Sequence, residues 1–506
     1  MLLYEYQYMG GKMSLISVKN LTFRYDGSID NVFENVSFNI DTEWKLGLIG
    51  RNGKGKTTFL KLLLGKYEYN GSISKNVDFD YFPFEVKNKS RMAIEIVNEI
   101  APNVEDWEII KELNLLNTDS NILYKAFNIL SGGEQVKILL ISLFLKGNNF
   151  LLIDEPTNHL DNETRNNLVS YLKNKSGFIL VSHDRKFLDK VVDHIISINN
   201  TNIEIQKGNF STWKENKDRQ DNFEIMQNEK LKKDITRLEN AARSTSTWSD
   251  KVEKTKYKTI DSEASIDRGY VGHQSAKMMK RSKVLEKRIE KAINEKSSLL
   301  NNIDRNDSLK IIPLESRKNP IVLADNFQIK YNDKAIFNEV SFEVNNGDRL
   351  AIIGKNGVGK SSILNLILGE EIEYNGLFKV ANDLKISYVS QTTENLRGTI
   401  KEYSKSNNID ESIFRAMLSK MGVSILELDK DISKMSEGQK KKILISRSIS
   451  EQANIYLWDE PLNYIDILTR VQIEEAILKY CPTIIFVEHD ETFVENIATK
   501  IIHLER

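Results

Sequence analysis

Four short motifs occur twice in this 506-residue chain, in the same order and at a nearly constant separation. The segment Gly50–Thr57 (GRNGKGKT) returns as Gly354–Ser361 (GKNGVGKS), an offset of 304 residues. SGGEQ from Ser131 returns as SEGQK from Ser436, Leu151–Asp161 as Tyr456–Asp466, and Val181–Asp184 as Val487–Asp490, with offsets of 305, 305 and 306. Chance matches would not keep this register, so the sequence predicts two copies of one domain.

Each copy alternates apolar runs with helical patterns. Phe150–Ile153 and Phe178–Val181 are continuous apolar runs, which are typical of strands buried on both faces. Alternation of such strands with helices predicts an α/β fold with a mostly parallel sheet in each copy.

The segment between the copies has a different pattern of apolar and charged residues. Apolar residues recur there at helical spacing, first at Leu231, Ile235, Leu238 and Ala242 and later at Leu285, Ile289, Ala292, Leu299 and Ile303, with charged residues between them. This pattern predicts two helices that pair antiparallel, joined by a loop at about residues 244–275 that is rich in Ser, Thr, Gly and Lys. The predicted boundaries are 1–212 for the first domain, 213–305 for the linker and 306–506 for the second domain.

The composition excludes several classes of protein. Lys and Arg total 71 against 72 for Asp and Glu, so the whole chain is not a general polyanion binder and a nucleic-acid surface would be local. No apolar run approaches the ~20 residues that span a bilayer, and the first 13 residues lack the apolar centre of a secretory signal. The single cysteine, Cys481, lies before an apolar run, so we expect it to be buried, and we expect a cytoplasmic protein.

The repeated G-x-x-x-x-G-K-[ST] motif is a P-loop, which follows a strand and opens a helix. Its glycines let backbone N–H groups surround phosphates, and the helix N-terminus adds positive potential. Lys56 and Lys360 would reach the outer phosphates of ATP, while Thr57 and Ser361 would offer hydroxyls to Mg²⁺. The predicted ATP-binding set in the two loops is Gly50, Asn52, Gly53, Gly55, Lys56, Thr57, Thr58, Gly354, Asn356, Gly357, Gly359, Lys360, Ser361 and Ser362.

Acidic and histidine residues follow the strands downstream of each P-loop. Asp154 and Asp459 end apolar strands, where a carboxylate can hold the Mg²⁺ shell. Glu155 and Glu460 come next and are placed to orient the attacking water. His183 and His489 follow the next strand, and the repeat favours a catalytic role for them over a structural one.

A second phosphate clamp is predicted at Leu130–Glu134 (LSGGE), where Ser131, Gly132, Gly133 and Glu134 open a helix. In the second copy Ser436, Gly438 and Gln439 keep the pattern, but Glu437 replaces a glycine. We expect each clamp to meet the nucleotide on the P-loop of the other copy, so that Glu437 brings a side chain towards the phosphates at Lys56. Gln391 completes the second site, whereas Phe84 stands at the matching position of the first.

P-loop, LSGGE, aspartate-glutamate and histidine, in this order and spacing, resemble the ATP-binding cassette (ABC) ATPases. Two cassettes in one chain, DEPTNHLD after a strand and a helical linker resemble the ABC-F family of ribosome-binding translation factors, and GHQSAKMMKRSK (Gly272–Lys283) resembles its antibiotic-resistance members of the Lsa and Vga kind. The resemblance implies ATP and Mg²⁺ as cofactors, ATP contacts from Tyr25 and Tyr331, and Mg²⁺ contacts from Thr57, Asp154, Ser361, Gln391 and Asp459.

The resemblance also implies a mechanism and a partner. ATP would close the cassettes of a monomeric protein on each other, and the closed form would bind the exit site of the 70S ribosome, near tRNA, with the linker directed at the peptidyl-transferase centre. Such a protein would counter lincosamides, pleuromutilins and streptogramin A, by displacing the drug or by remodelling rRNA. The alternative is a housekeeping ABC-F translation factor without a drug phenotype. A transporter subunit would have no reason for a long basic linker, and about 90 residues are too few for a chromosome coiled-coil protein.

The linker carries residues suited to rRNA. Six basic residues and one acidic residue lie between Gly272 and Arg288. Phosphate contacts from such a basic stripe give an affinity for RNA that falls as the salt concentration rises. The alternative for a run of charges alone is a helix face exposed to solvent. Aromatic side chains could stack on unpaired bases. For Trp248 the alternative is packing between the two predicted linker helices. The predicted rRNA-binding residues are Trp248, Lys254, Lys256, Tyr257, Lys258, Tyr270, Lys277, Lys280, Arg281 and Lys283.

Overall fold

The computed structural model describes residues 15–27, 30–147, 149–157, 160, 162–199, 201–255, 273, 276–277, 280, 283–284, 287–288, 291, 309–331, 334–355 and 357–505. The chain divides into two compact units. One comprises Met1–Trp213 with Asp307–Arg506 and contains both repeats, which we call the first and second cassettes. The other is Lys214–Asn306, which we call the helical unit after helix Phe210–Thr255.

The first cassette is built on two sheets. Its strands are β1 (Leu15–Phe23), β2 (Phe33–Asp41), β3 (Lys45–Gly50), β4 (Asn70–Ser74), β5 (Asp78–Phe82), β6 (Asn149–Asp154), β7 (Phe178–Val181), β8 (His194–Asn199) and β9 (Asn202–Lys207). Its α-helices are Lys56–Leu63, Ala93–Ile100, Asp106–Leu115, Gly132–Leu145, Asn162–Lys173 and Arg185–Val191, with 3₁₀ turns at Ser120–Tyr124 and Phe127–Ile129.

The larger sheet of the first cassette has the order β5-β6-β7-β3-β8-β9 and is parallel except for β9, which pairs antiparallel with β8. The smaller sheet, β2-β1-β4, is antiparallel. The P-loop follows β3, and β6 and β7 lie beside it, so the carboxyl ends of these parallel strands meet at one edge. In open α/β sheets this edge is where ligands bind.

The second cassette repeats this plan. Its strands are β10 (Val322–Tyr331), β11 (Lys334–Ala335), β12 (Val340–Val344), β13 (Arg349–Gly354), β14 (Tyr374–Val380), β15 (Ile386–Val389), β16 (Ile455–Asp459), β17 (Ile484–Val487) and β18 (Lys500–Leu504). Its α-helices are Lys360–Leu368, Ile400–Ser406, Glu411–Lys420, Ile425–Leu428, Glu437–Ser450, Ile467–Tyr480 and Glu491–Ile497, with a 3₁₀ turn at Ile432–Lys434. The parallel sheet order is β15-β16-β17-β13-β18.

Two apolar clusters stabilise each cassette, one on either face of the parallel sheet. In the first cassette the helices Ala93–Ile100, Asp106–Leu115 and Gly132–Leu145 cover one face, and the antiparallel sheet with the P-loop helix covers the other. Ile467 of the second cassette is also part of the first cassette's helical cluster. The predicted α/β fold with two cassettes is confirmed.

Helix Phe210–Thr255 corrects the predicted start of the linker loop. The sequence predicts a loop from about residue 244, but residues 244–255 are helical, so Trp248 and Lys254 lie in the helix. Ser and Thr at 244–247 suggested a loop because these residues compete with the helical backbone for hydrogen bonds, but this preference is weak. Lys277, Lys280 and Lys283 are helical and exposed. Lys256, Tyr257, Lys258, Tyr270 and Arg281 lie outside the described residues.

Cys481 is exposed, so the expectation that it is buried is wrong. It ends helix Ile467–Tyr480 in a left-handed conformation with φ of 45°, and the buried strand begins only at Ile484. Its thiol donates to Leu478 O at 3.2 Å. Among the described residues, no helix combines the length and the hydropathy that a bilayer-spanning segment requires.

Candidate active sites

The two P-loops have the same backbone geometry. Gly55 and Gly359, which immediately precede the helices, have φ of 97° and 99°, in the left-handed region that favours glycine. A Cβ at Gly55 would lie 2.7 Å from Val32 Cγ1, and a Cβ at Gly359 would lie 2.3 Å from Ile336 Cδ1. Only glycine therefore fits at these positions, which set the loop against the helix N-terminus for phosphate binding.

The side chains of the loops and their neighbours lie where an ATP site requires them. Lys56 Nζ donates to Gly50 O at 2.7 Å and to Asn52 Oδ1 at 3.2 Å, and Lys360 Nζ donates to Gly354 O at 2.8 Å. The Tyr25 hydroxyl lies 2.6 Å from Thr58 Oγ1, and the Tyr331 hydroxyl lies 3.2 Å from Ser362 Oγ. Both tyrosine rings are substantially exposed, so their faces are available to a base. Asn356 lies outside the described residues.

A carboxylate at the end of each central strand faces a P-loop hydroxyl. Asp154 hydrogen-bonds Thr57, and Asp459 hydrogen-bonds Ser361. Asp459 is 2% exposed, and its Oδ1 is buried with no hydrogen-bond donor. An unsatisfied buried carboxylate oxygen beside a hydroxyl fits a Mg²⁺ site, because Mg²⁺ takes oxygen ligands and is held by one or two protein groups together with phosphates. These residues therefore fit the predicted cofactor.

Tyr81 is a functional residue that the sequence reasoning missed. Its hydroxyl donates to Asp154 Oδ2 at 2.9 Å. Burial and the charge of Asp154 raise the pKa of Tyr81, so the phenol stays protonated and keeps donating. Tyr388 stands at the corresponding place in the second cassette, where β15 pairs with β16. The sequence signal that could have identified it is an aromatic residue near the end of the corresponding strand in each cassette, which is Tyr81 in β5 and Tyr388 in β15.

Each candidate catalytic glutamate has a strained backbone. Glu155 and Glu460 have φ of 51° and 45°, which non-glycine residues seldom adopt and which is held by N–H donation to Val181 O and Val487 O at 2.9 and 3.0 Å. His183 Nε2 lies 3.3 Å from Glu155 Oε1, and His489 Nε2 lies 3.6 Å from Glu460 Oε1. The geometry thus brings glutamate and histidine together in both cassettes.

The electrostatic environments of the two glutamates differ. Burial, and then the negative charge of Asp154, raise the pKa of Glu155 to about 8. A hydrogen bond from His489 lowers the pKa of Glu460 to about 2 despite partial burial, with further hydrogen bonds from Gln391 and Asn463. Burial and nearby cations hold the pKa of His183 well below its usual range. The charged form that can polarise water is therefore favoured more strongly at Glu460 than at Glu155.

The two clamp segments are helix N-termini closed by capping boxes. Ser131 accepts from Glu134 N, and Glu134 accepts from Ser131 N; Ser436 and Gln439 form the same reciprocal pair. Glu437 does not behave as expected. Its carboxylate turns within its own cassette, where it accepts from Thr393 Oγ1 and pairs with Lys440 Nζ at 2.9 Å. Thr393 satisfies one carboxylate oxygen by a hydrogen bond, and Lys440 offsets part of the negative charge.

The P-loop of the first cassette contacts the second cassette directly. Asn52 N donates to Asp466 Oδ2 at 3.2 Å, and Asn52 Nδ2 donates to Tyr464 O at 2.9 Å. A Cβ at Gly438 would lie 3.2 Å from Asn52 Nδ2, so the clamp of the second cassette adjoins this P-loop. Lys56 therefore lies in a cleft lined by both cassettes. The corresponding residues 158, 159 and 161 of the first cassette lie outside the described residues.

A buried ion pair also joins the cassettes. Arg185 Nη1 donates to Glu474 Oε2 at 3.0 Å, and Arg185 Nη2 contacts the other carboxylate oxygen. The two side chains are 8% and 7% exposed. Nearby, Lys186 pairs with Glu491 and Glu495 at the surface. Breaking a buried pair leaves an uncompensated charge, whereas surface pairs contribute little, so Arg185 and Glu474 fix this contact.

The comparisons with known proteins agree with this geometry. The sequence profile of the ABC transporter family matches residues 33–158 and 337–463. The chain is 29% identical to the ATP-binding protein Uup of Buchnera aphidicola over 98% of this chain and 81% of that protein. It is 27% identical to the ribosome protection protein VmlR of Bacillus subtilis, covering 95% and 85%. An archaeal ribosome recycling factor, aABCE1, shares the fold with a TM-score of 0.57 at 18% identity, covering 96% of this chain and 87% of that chain.

We predict that the two ATP sites hydrolyse at different rates. Glu460→Gln should remove most of the ATPase activity, because Glu460 is the charged glutamate, while Glu155→Gln should leave a larger fraction. We expect their residual turnover rates to differ by at least about fivefold, equivalent to ~1 kcal/mol in activation free energy. The measurement is steady-state phosphate release at saturating ATP and Mg²⁺. Equal losses from the two variants would contradict the prediction.

Proposed function

Because the chain belongs to the ABC transporter family and carries two of its ATP-binding cassettes, we propose that it uses ATP to bind ribosomes and protect them from peptidyl-transferase-centre antibiotics. The chain is an ATPase of this family. The observation that carries the ribosomal proposal is the helical unit Lys214–Asn306 between two cassettes that contact each other. Similarity to VmlR, a ribosome protection protein, supports it.

The proposed cycle follows from the residues at the site. Mg²⁺, when bound with ATP, neutralises phosphate charge. Lys56 and Lys360 bind the outer phosphates, and Glu460 with His489 orients the attacking water at the second site. The contact of Asn52 with Asp466 joins the cassettes beside the first P-loop. Bound ATP would strengthen this closure, and hydrolysis would remove the phosphate that the clamp segment holds. The closed protein is then the ribosome-binding form, and hydrolysis releases it.

The helical unit supplies the proposed ribosomal contact. Helix Phe210–Thr255 has 46 residues, which at ~1.5 Å per residue is roughly 69 Å long. Lys277, Lys280 and Lys283 are exposed helical residues and are suited to rRNA phosphates. Trp248, Lys254, Lys256, Tyr257, Lys258, Tyr270 and Arg281 remain proposed rRNA contacts. The proposal places the protein in the cytoplasm, at the exit site near tRNA.

A housekeeping translation factor is the second candidate. It is supported by the 29% identity to the ATP-binding protein Uup, a relative whose name carries no role in drug protection, against 27% to the ribosome protection protein. The two functions differ in one readout, the drug susceptibility of cells. A protection factor raises the inhibitory concentration of lincosamides, pleuromutilins or streptogramin A in a sensitive host, whereas a housekeeping factor leaves all three unchanged.

The double variant Glu155→Gln/Glu460→Gln should trap the ribosome-bound state. The Mg²⁺ and phosphate contacts come from other residues, so ATP still binds and closes the cassettes, but water is no longer activated. We expect this variant to sediment with ribosomes in ATP and to arrest growth. The control is the same variant carrying Lys56→Ala and Lys360→Ala, which should stay in the supernatant. Equal ribosome binding by the double variant and the wild type in ATP would contradict the trap.

Trimming residues 255–267 to a short Gly-Ser turn should abolish drug protection while leaving ATPase activity and expression unchanged, because both cassettes are intact. The inhibitory concentrations of the three drug classes measure the effect. A matched control replaces Lys401, Lys405 and Lys430, exposed lysines of the second cassette, with glutamine. Full protection by the trimmed protein would show that this segment is only a spacer.

A further inference from the structure

The two cassettes differ at a buried position beneath the second catalytic glutamate. Lys441 lies on helix Glu437–Ser450, where the repeat places Val136 in the first cassette. Lys441 is 1% exposed, and a lysine is almost never buried without compensating groups. A second difference accompanies it: Glu488, which is 5% exposed, stands where the first cassette has Ser182.

All three N–H donors of Lys441 are directed at backbone carbonyls of the second site. Nζ donates to Ser390 O at 2.8 Å, to Gln391 O at 3.1 Å and to Asp459 O at 3.4 Å. Ser390 and Gln391 follow β15, while Asp459 ends β16. One ammonium group therefore ties the segment that carries Gln391 to the strand end that carries Asp459 and Glu460.

The opposing charge comes from carboxylates around the same strand ends. Burial lowers the pKa of Lys441 to about 8, and the charges of Glu488, Asp459 and Glu460, with Glu488 the strongest, oppose this shift and favour the charged form. Glu488 is fixed in turn by two backbone donors, Leu462 N at 3.1 Å and His489 N at 2.9 Å. Lys441 thus holds the Gln391 segment, and Glu488 holds the backbone N–H of His489.

The first cassette has neutral residues at the two positions that Lys441 and Glu488 occupy in the second cassette. Val136 packs against its helical apolar cluster. Ser182 Oγ lies 3.2 Å from Thr157 Oγ1 and accepts from Asp184 N at 3.1 Å. In the first cassette the carboxylate predicted to bind Mg²⁺ is that of Asp154, and the Tyr81 side chain contacts it. The tether through Lys441 is therefore a property of the second site alone within the described residues of the two cassettes.

We propose that Lys441 is a positioning residue for hydrolysis at the second ATP site, because it fixes the backbone of Gln391 beside Glu460. The Gln391 side chain hydrogen-bonds Glu460. A shift of the Gln391 backbone would move that amide and leave the carboxylate free to rotate away from the attacking water. Lys441 touches neither nucleotide nor water, and it acts through Gln391 and Asp459. Loss of the tether would slow the chemical step and leave ATP binding, which depends on the P-loop, nearly unchanged.

The test uses Lys441→Met, which keeps the length of the side chain and removes its donors, in two backgrounds that isolate one site each. With Glu155→Gln, only the second site turns over, and we expect kcat to fall at least about tenfold, equivalent to ~1.4 kcal/mol, with KM for ATP changed less than about twofold. With Glu460→Gln, only the first site turns over, and kcat should not change. Lys405→Met, an exposed lysine of the same cassette, is the matched control.

A second variant tests the proposal in case the single variant does not fold. Lys441→Met removes one of the cations near buried Glu488, which also faces Arg470, so Lys441→Met/Glu488→Gln removes both charges together and should fold even if the single variant does not. It should show the same loss of kcat at the second site. An unchanged kcat in the Glu155→Gln background, an equal fall in both backgrounds, or wild-type turnover by the double variant would each overturn the proposal.

Discussion

At the first P-loop, the contact between the cassettes depends on one buried carboxylate. Asp466 is fully buried and accepts four hydrogen bonds: from Lys442 Nζ at 2.7 Å, from Thr469 N and Oγ1 at 2.9 Å each, and from Asn52 N of the other cassette at 3.2 Å. Burial disfavours its charge, but Lys442 and Lys56 outweigh burial and hold the pKa of Asp466 below its usual range. A buried carboxylate this well satisfied is charged and fixed. It therefore gives the first P-loop a rigid surface to close against.

The chain thus contains two related sites with unlike chemistry. In the first, Tyr81 holds Asp154, and Glu155 has a raised pKa. In the second, Gln391 and His489 hold Glu460 in its charged form. This difference is the basis of the unequal hydrolysis that we expect at the two sites. The buried pair of Arg185 and Glu474 adds a second contact between the cassettes beside that of Asn52 with Asp466.

The sequence predicted what depends on local pattern. The P-loops, the strand-end carboxylates and the two-cassette fold are encoded by glycine spacing and apolar runs, and the structure places them as expected. Contacts between distant residues were not predicted, because no periodicity marks them: Asp466 with Asn52 and Arg185 with Glu474 are separated by 414 and 289 positions. The direction of the Glu437 side chain depended on Thr393, which only the folded chain brings near it.

The most direct measurement of the central claim, that ATP closes the cassettes on each other, is cross-linking between them. Lys186→Cys and Glu495→Cys place thiols at a surface ion pair between the cassettes, and Cys481→Asn removes the exposed native thiol with a residue that tolerates its left-handed backbone. In the Glu155→Gln/Glu460→Gln chain, a short bismaleimide should join these cysteines several-fold more efficiently with ATP and Mg²⁺ than with ADP. Equal cross-linked fractions with ATP, with ADP and without nucleotide would contradict the account.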